Sequence, residues 1–256
     1  MSNWDDLTTE LDGWDEAGMI AEFWWRDDDA VEPTPALDQL LDLRKSLDVP
    51  LAIAAIPATA TKALGEVLAG EGSIAVLQHG YAHRNHGATG AKQAELGNDR
   101  ELWDIAREIA DGRGCMGEVF GDGNWLNVMV PPWNRIDDSV TALLPGLGFH
   151  GLTHWNARVS EECAPGLRNV NTHIDIIDWT GTRAYAGDTA VLGAAIAHLS
   201  AKRTGQADAG EATGLLTHHL AHESGCWGFI ETFVKKTAAH PAVSWRSAAD
   251  LFPEPA

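Results

Sequence analysis

His79 and His83 stand four residues apart, just beyond the apolar run Ile74-Ala75-Val76-Leu77. One turn of helix would put both rings on one face. Two imidazoles so placed can bind a divalent metal if a third ligand arrives from elsewhere. Asp27-Asp28-Asp29 follows the aromatic-rich stretch Glu22-Phe23-Trp24-Trp25-Arg26. Adjacent carboxylates repel, and a cation relieves that repulsion. One aspartate can therefore complete a metal site while a neighbour serves as a base toward water. An isolated acidic triplet is usually an exposed turn, but this one ends a strand of buried type.

Three further clusters carry polar groups. Pro131-Pro132-Trp133-Asn134-Arg135 combines a rigid turn, an aromatic wall and a cation. Asp175 and Asp178 lie three apart before Trp179, so a strand would point them to opposite faces and only one would serve a given site. A buried carboxylate there can orient and charge a histidine. Leu216-Thr217 leads into His218-His219, of which at most one faces a given pocket, and His222 is close by.

The elements that position these clusters alternate in type. Strands are expected at 22–26, 51–56, 74–78, 127–130, 148–153, 169–177, 214–217 and 242–245, and part of residues 1–20 is expected to be helical. Further helices are expected at 34–47, where Thr34 is the cap and Pro35 the first helical residue, and at 60–69, 98–110, 139–144, 189–202 and 227–237. The glycine-rich stretch 111–124 reads as a long loop. This alternation predicts a single α/β domain over 1–256 with a mainly parallel sheet. The polar clusters fall just after apolar strands, and the carboxyl ends of parallel strands are where sites form.

Composition narrows the function classes. With 45% hydrophobic residues the 256-residue chain can bury a full core. A formal net charge of −19 disfavours nucleic acid and anionic lipid as partners. No apolar stretch is long enough to span a bilayer, and the acidic start has no signal-peptide pattern. Three unclustered cysteines argue against a disulfide framework and fit a reducing, cytoplasmic setting. No pattern sets an oligomeric state.

Taken in order, Asp28-Asp29, His79 to His83, Pro131-Pro132-Trp133, Asp178-Trp179 and Leu216-Thr217-His218 resemble the motifs of the metal-dependent polysaccharide deacetylase family with the NodB homology domain. The resemblance covers about residues 22 to 245 and implies an irregular (β/α) barrel of about seven strands. It implies Asp28 as general base and Asp29, His79 and His83 as ligands of one divalent ion, zinc. It further implies His218 as general acid and a pocket formed by Trp133, Arg135, Asp178 and Trp179. The expected reaction removes an acetyl group from an N-acetylated sugar or related small amide, with a small molecule or oligosaccharide as substrate. The chain departs from the family in two places. The triple aspartate also admits Asp27 as base with Asp28 as ligand. Val130 stands where the family has an arginine, a place that Arg135 can fill. Two other readings remain open: an allantoinase-like hydrolase of cyclic amides, and a carbohydrate-binding relative without turnover.

Overall fold

The structure, a computed structural model, describes residues 2–255. In chain order the elements are α1 (Trp4–Glu16), β1 (Ala21–Ala30), α2 (Pro35–Leu47), β2 (Leu51–Ala55), α3 (Lys62–Ala69), β3 (Ile74–His79), α4 (Leu102–Phe120), β4 (Leu126–Val130), α5 (Asp138–Thr141), β5 (Gly151–Leu152), β6 (Glu162–Ala164), β7 (Leu167–Asn169), β8 (Ile174–Asp175), α6 (Asp188–Arg203), β9 (Thr213–Thr217), α7 (Ser224–Ala238), β10 (Val243–Trp245) and α8 (Ala248–Leu251).

The strands form one sheet in the order β6-β7-β5-β4-β3-β2-β1-β9-β8, with β10 pairing against the start of β1. Every ladder is parallel except β6 with β7. β1 lies between β2 and β9, also pairs with β10, and is buried over nearly its whole length. Its aromatic residues fill both sides. Phe23 and Trp25 join the core under α1, α2, α6 and α7, while Trp24 packs on Phe252.

The ladders do not themselves close into a ring. The flanks are joined instead by one extended run. Residues 167–172 follow β5, continuing past β7 through the bridge between Trp155 and Thr172. From His173 onward the same run pairs with β9, first by His173 N–H to the Gly214 carbonyl at 2.8 Å and then through β8. Covalent continuity thus completes an irregular barrel. Sequence reading gave one strand over 169–177; the structure divides it because its pairing partner changes midway.

Two expectations fail in instructive ways. The glycine-rich stretch 111–124 is helical as far as Phe120. Gly112 is buried in α4, and a methyl there would come within 2.5 Å of the Gln78 amide. The glycine therefore permits close packing and does not mark a turn. Nor do His79 and His83 share a helix. β3 ends at His79, and residues 80–95 form a loop with positive φ at Gly80 (53°) and His83 (53°). Among the described residues, no helix is long and apolar enough to cross a membrane.

Candidate active site

β1 sorts its three aspartates by backbone geometry. Strand alternation puts Arg26 and Asp28 on one face and Asp27 on the other. Asp27 is fully buried and accepts from the Thr217 hydroxyl (2.6 Å), the His219 backbone N–H (3.0 Å) and His219 Nδ1 (2.5 Å). Burial opposes the charge on Asp27, but His219 overrules it and holds the carboxyl below its usual range. At Asp29 the alternation breaks. Its φ is 75°, the register with β2 slips between Asp27 and Ala30, and Asp29 joins Asp28 on the same cavity.

Asp29 Oδ1 lies 3.1 Å from His79 Nε2 and 3.3 Å from His83 Nε2. His79 Nδ1 must donate to the Val130 carbonyl at 2.9 Å, because a carbonyl can only accept. In the neutral ring this puts a lone pair on Nε2, facing a carboxylate oxygen. Two lone pairs so opposed need a proton or a cation between them. Ligands at the Zn–N distance of about 2.0–2.1 Å around a tetrahedral zinc ion are separated by about 3.3 Å. The donor set and its spacing therefore fit one divalent ion. The field points the same way. Burial works against a charged His79, yet Asp29 and Asp28 raise it above its ordinary range, and Asp29 is held well below the usual carboxylate range. Burial and the neighbouring His79 lower His83. Val130 contributes the backbone oxygen that fixes the His79 ring.

A cavity of about 440 Å3 opens over these groups. Asp28, Asp29, His79, His83, Asp175 and His218 form its deeper part, Trp133 and Asn134 its wall, and Gln93, Trp179, Thr180 and Arg183 its exposed mouth. Trp133 is held at φ 55° by the proline turn, with its ring 4.3 Å from that of His83.

The partner of Asp28 is Arg26. Its Nε and Nη2 each donate to one oxygen of Asp28 at 2.9 Å, and Nη2 also reaches Asn134 Oδ1 at 2.7 Å. Nη1 bonds Thr153 Oγ1 at 2.9 Å. Arg135 does not take that place. It lines the cavity, and its Nη1 is tied to the Gln93 carbonyl at 2.6 Å. Sequence reading passed over Arg26, although a residue two before Asp28 in a strand must share its face.

His218 faces the cavity, whereas His219 turns back to Asp27 and His222 accepts the His218 N–H at 3.3 Å behind it. The Trp179 ring meets His218 edge to face at 4.8 Å. Here one expectation is corrected. Asp178 does not line the cavity. It caps its own turn, accepting from Gly181 N–H (2.9 Å) and Thr182 N–H (3.2 Å). Asp175 lines the cavity instead, at the end of β8, and accepts from Trp179 Nε1 at 2.9 Å and Ile177 N–H at 2.9 Å. Burial pushes its carboxyl up, while the nearby His218 pulls it down.

His173, His198 and Glu211 form a second group of ligand-type residues. Its geometry refuses a metal. The two rings stack at 3.5 Å with planes 13° apart, so their in-plane lone pairs cannot meet at one point. His173 Nδ1 accepts the Gly214 N–H at 3.0 Å, which leaves the ring proton on Nε2, 3.3 Å from Glu211.

No model of a known family matches the sequence, and no curated protein matches it either. Solved structures do match in shape. A Mycobacterium smegmatis protein described as a polysaccharide deacetylase superposes with a TM-score of 0.65 at 18% identity, over 91% of this chain and 88% of that one. The chitin deacetylase of Colletotrichum lindemuthianum gives 0.56 at 16% identity, over 93% and 89%. A family 4 acetyl xylan esterase of Clostridium thermocellum, solved with a cobalt ion, gives 0.53 at 12% identity, over 90% of each chain. At such identities it is architecture that is shared, and the chain has the polysaccharide deacetylase fold, built on the NodB-type irregular (β/α) barrel.

Proposed function

We propose that the protein is a metal-dependent hydrolase that removes an acetyl group from an N-acetylated sugar or related small amide. The observation that carries this reading is the convergence of Asp29, His79 and His83 on one point, beside the Arg26–Asp28 pair and facing the cavity shared with His218. Asp29, His79 and His83 would hold one divalent ion, zinc. The ion would supply Lewis-acid polarisation of the acyl carbonyl. Asp28, oriented by the Arg26 fork, takes the proton of the attacking water. His218 gives a proton to the leaving nitrogen. Asp175 lines the same cavity as His218. Trp133 and Trp179 leave room for a small acyl group and keep bulk water from the reacting atoms. Fold neighbours include a carbohydrate esterase in complex with acetate and an esterase with cobalt, which accord with this reading.

The test pairs metal analysis with acetate release from N-acetylated mono- and oligosaccharides. The expected result is about one equivalent of zinc per chain and activity that a chelator removes and zinc restores. In His79→Ala, metal content and activity should fall together. Ureide release from cyclic amides with no acetate from any sugar would favour the cyclic-amide reading. A purified wild type that takes up no metal and hydrolyses nothing would refute the proposal.

A further inference from the structure

We infer that the substrate carries an anionic group, a carboxylate or a phosphate, on the part remote from the acyl bond, and that Arg135 and Arg183 hold it. This inference rests on the deacetylase reading and specifies its substrate class.

The chain has 37 acidic residues against 18 basic ones. Most of its arginines lie against a carboxylate. Arg44 and Arg113 are taken up by backbone carbonyls. Arg84, Arg135 and Arg183 have no carboxylate partner among the described residues, and Arg84 does not line the cavity. Arg135 and Arg183 do line it; Arg135 is tied through Nη1 to the Gln93 carbonyl, and neither guanidinium is paired with a carboxylate. The cavity lining carries both signs of charge, with Arg183 at its exposed mouth and Arg135 half-buried beside Asn134. Each lining acid already has partners: Asp28 has Arg26, Asp29 has His79 and His83, and Asp175 accepts from Trp179 Nε1 and the Ile177 N–H. The remaining lining residues, Gln93, Trp179 and Thr180 among them, include no acid. In so acidic a protein, two guanidinium groups facing one cavity without a carboxylate partner stand out.

The type of cation matters too. A guanidinium presents a planar fork that matches the paired oxygens of a carboxylate or phosphate, whereas an ammonium offers only a point charge. Arg135 is held in place, since only its Nη1 is engaged, with the Gln93 carbonyl, and its other N–H groups are left for a ligand. Arg135 also borders a neighbouring cavity of about 330 Å3, which it shares with Asn134 and Asp138.

Binding tests this apart from turnover. The zinc-loaded protein is titrated by calorimetry with N-acetylglucosamine, N-acetylglucosamine 6-phosphate and N-acetylmuramic acid. At least one anionic sugar should bind about tenfold or more tightly than the neutral one, in line with a charge-assisted bidentate contact. The phosphate and carboxylate arms show which anion fits. The preference should shrink several-fold in Arg135→Gln and Arg183→Gln, and should fade in 0.5 M salt while neutral-sugar affinity holds. Thermal melts confirm that both variants fold. Equal affinity for neutral and anionic sugars, a preference untouched in both variants, or no binding of any of the three overturns the inference. Binding through the arginines with no hydrolysis would leave the inference standing and refute the proposed reaction.

Discussion

Arg26 is fully buried, and its charge is matched by Asp28 alone. Replacing it with Met would leave a buried carboxylate without a counter-charge, which costs about 3–5 kcal/mol. Arg26→Lys keeps the charge but loses the two-pronged contact. It should fold, melt lower, and lose about tenfold or more in kcat/KM with little change in metal content; equal turnover would refute the orienting role proposed for Arg26. This pairing was legible from strand parity, since residues 26 and 28 share a face whatever the tertiary structure. The choice between Asp28 with Asp29 and Asp27 with Asp28 was not. It turns on the positive φ of Asp29, which no neighbouring residue type dictates. The exchange of Asp178 for Asp175 was equally hidden, because it depends on β8 ending at Asp175.

At the scale of the element, the loop after β3 sets the separation of the two imidazoles. Glu95 is buried and accepts three backbone N–H groups, from Tyr81 (2.9 Å), Ala82 (2.9 Å) and Arg84 (3.1 Å). It replaces the ladder bonds these residues would have made in a longer strand. Gly80 makes the bend possible. A Cβ there would overlap the Glu95 carboxylate and lie 2.6 Å from the Pro132 ring. Gly80→Ala should therefore destabilise by at least about 2 kcal/mol through the positive φ and the overlap. It should also weaken zinc binding by about 10–100-fold, the usual cost of disturbing the groups that hold metal ligands. Competition with a chromogenic chelator reads the affinity, and wild-type affinity would show that the loop does not set the ligand spacing. The four-residue spacing pointed to two histidines meeting at one place, and the structure brings them together at Asp29. Its realisation as a loop was not legible, because a helical turn and a loop braced by Glu95 bring two rings equally close.

For the whole molecule, the run that joins the barrel's two flanks passes a buried cluster at its midpoint. His173 stacks on His198, with Glu211 and Lys202 beside them. Sequence reading placed α6 and β9 correctly but gave no sign that their polar residues meet inside the protein. Burial pushes His198 down to about 2 and also lowers His173, while His222, at the other end of β9, falls to about 4. A histidine with a depressed folded-state pKa excludes a proton that the unfolded chain binds below its ordinary value of 6.5. Its contribution to stability is thus complete above pH 6.5 and declines as the pH falls. At about 1.4 kcal/mol per pH unit, His198 alone accounts for a loss of about 2 kcal/mol by pH 5. The low pKa of Asp29 exerts its effect further down, below the ordinary carboxylate value of 3.8, and leaves this window clear. His79 and His219 are shifted upward and act with the opposite sign above pH 6.5. The informative quantity is therefore the difference between wild type and His198→Gln, measured by urea unfolding at pH 7 and pH 5. The variant should be less stable at pH 7 and should lose about 2 kcal/mol less than wild type on going to pH 5. Parallel losses in the two proteins would show that His198 takes up its proton without opening the closure between β5 and β9.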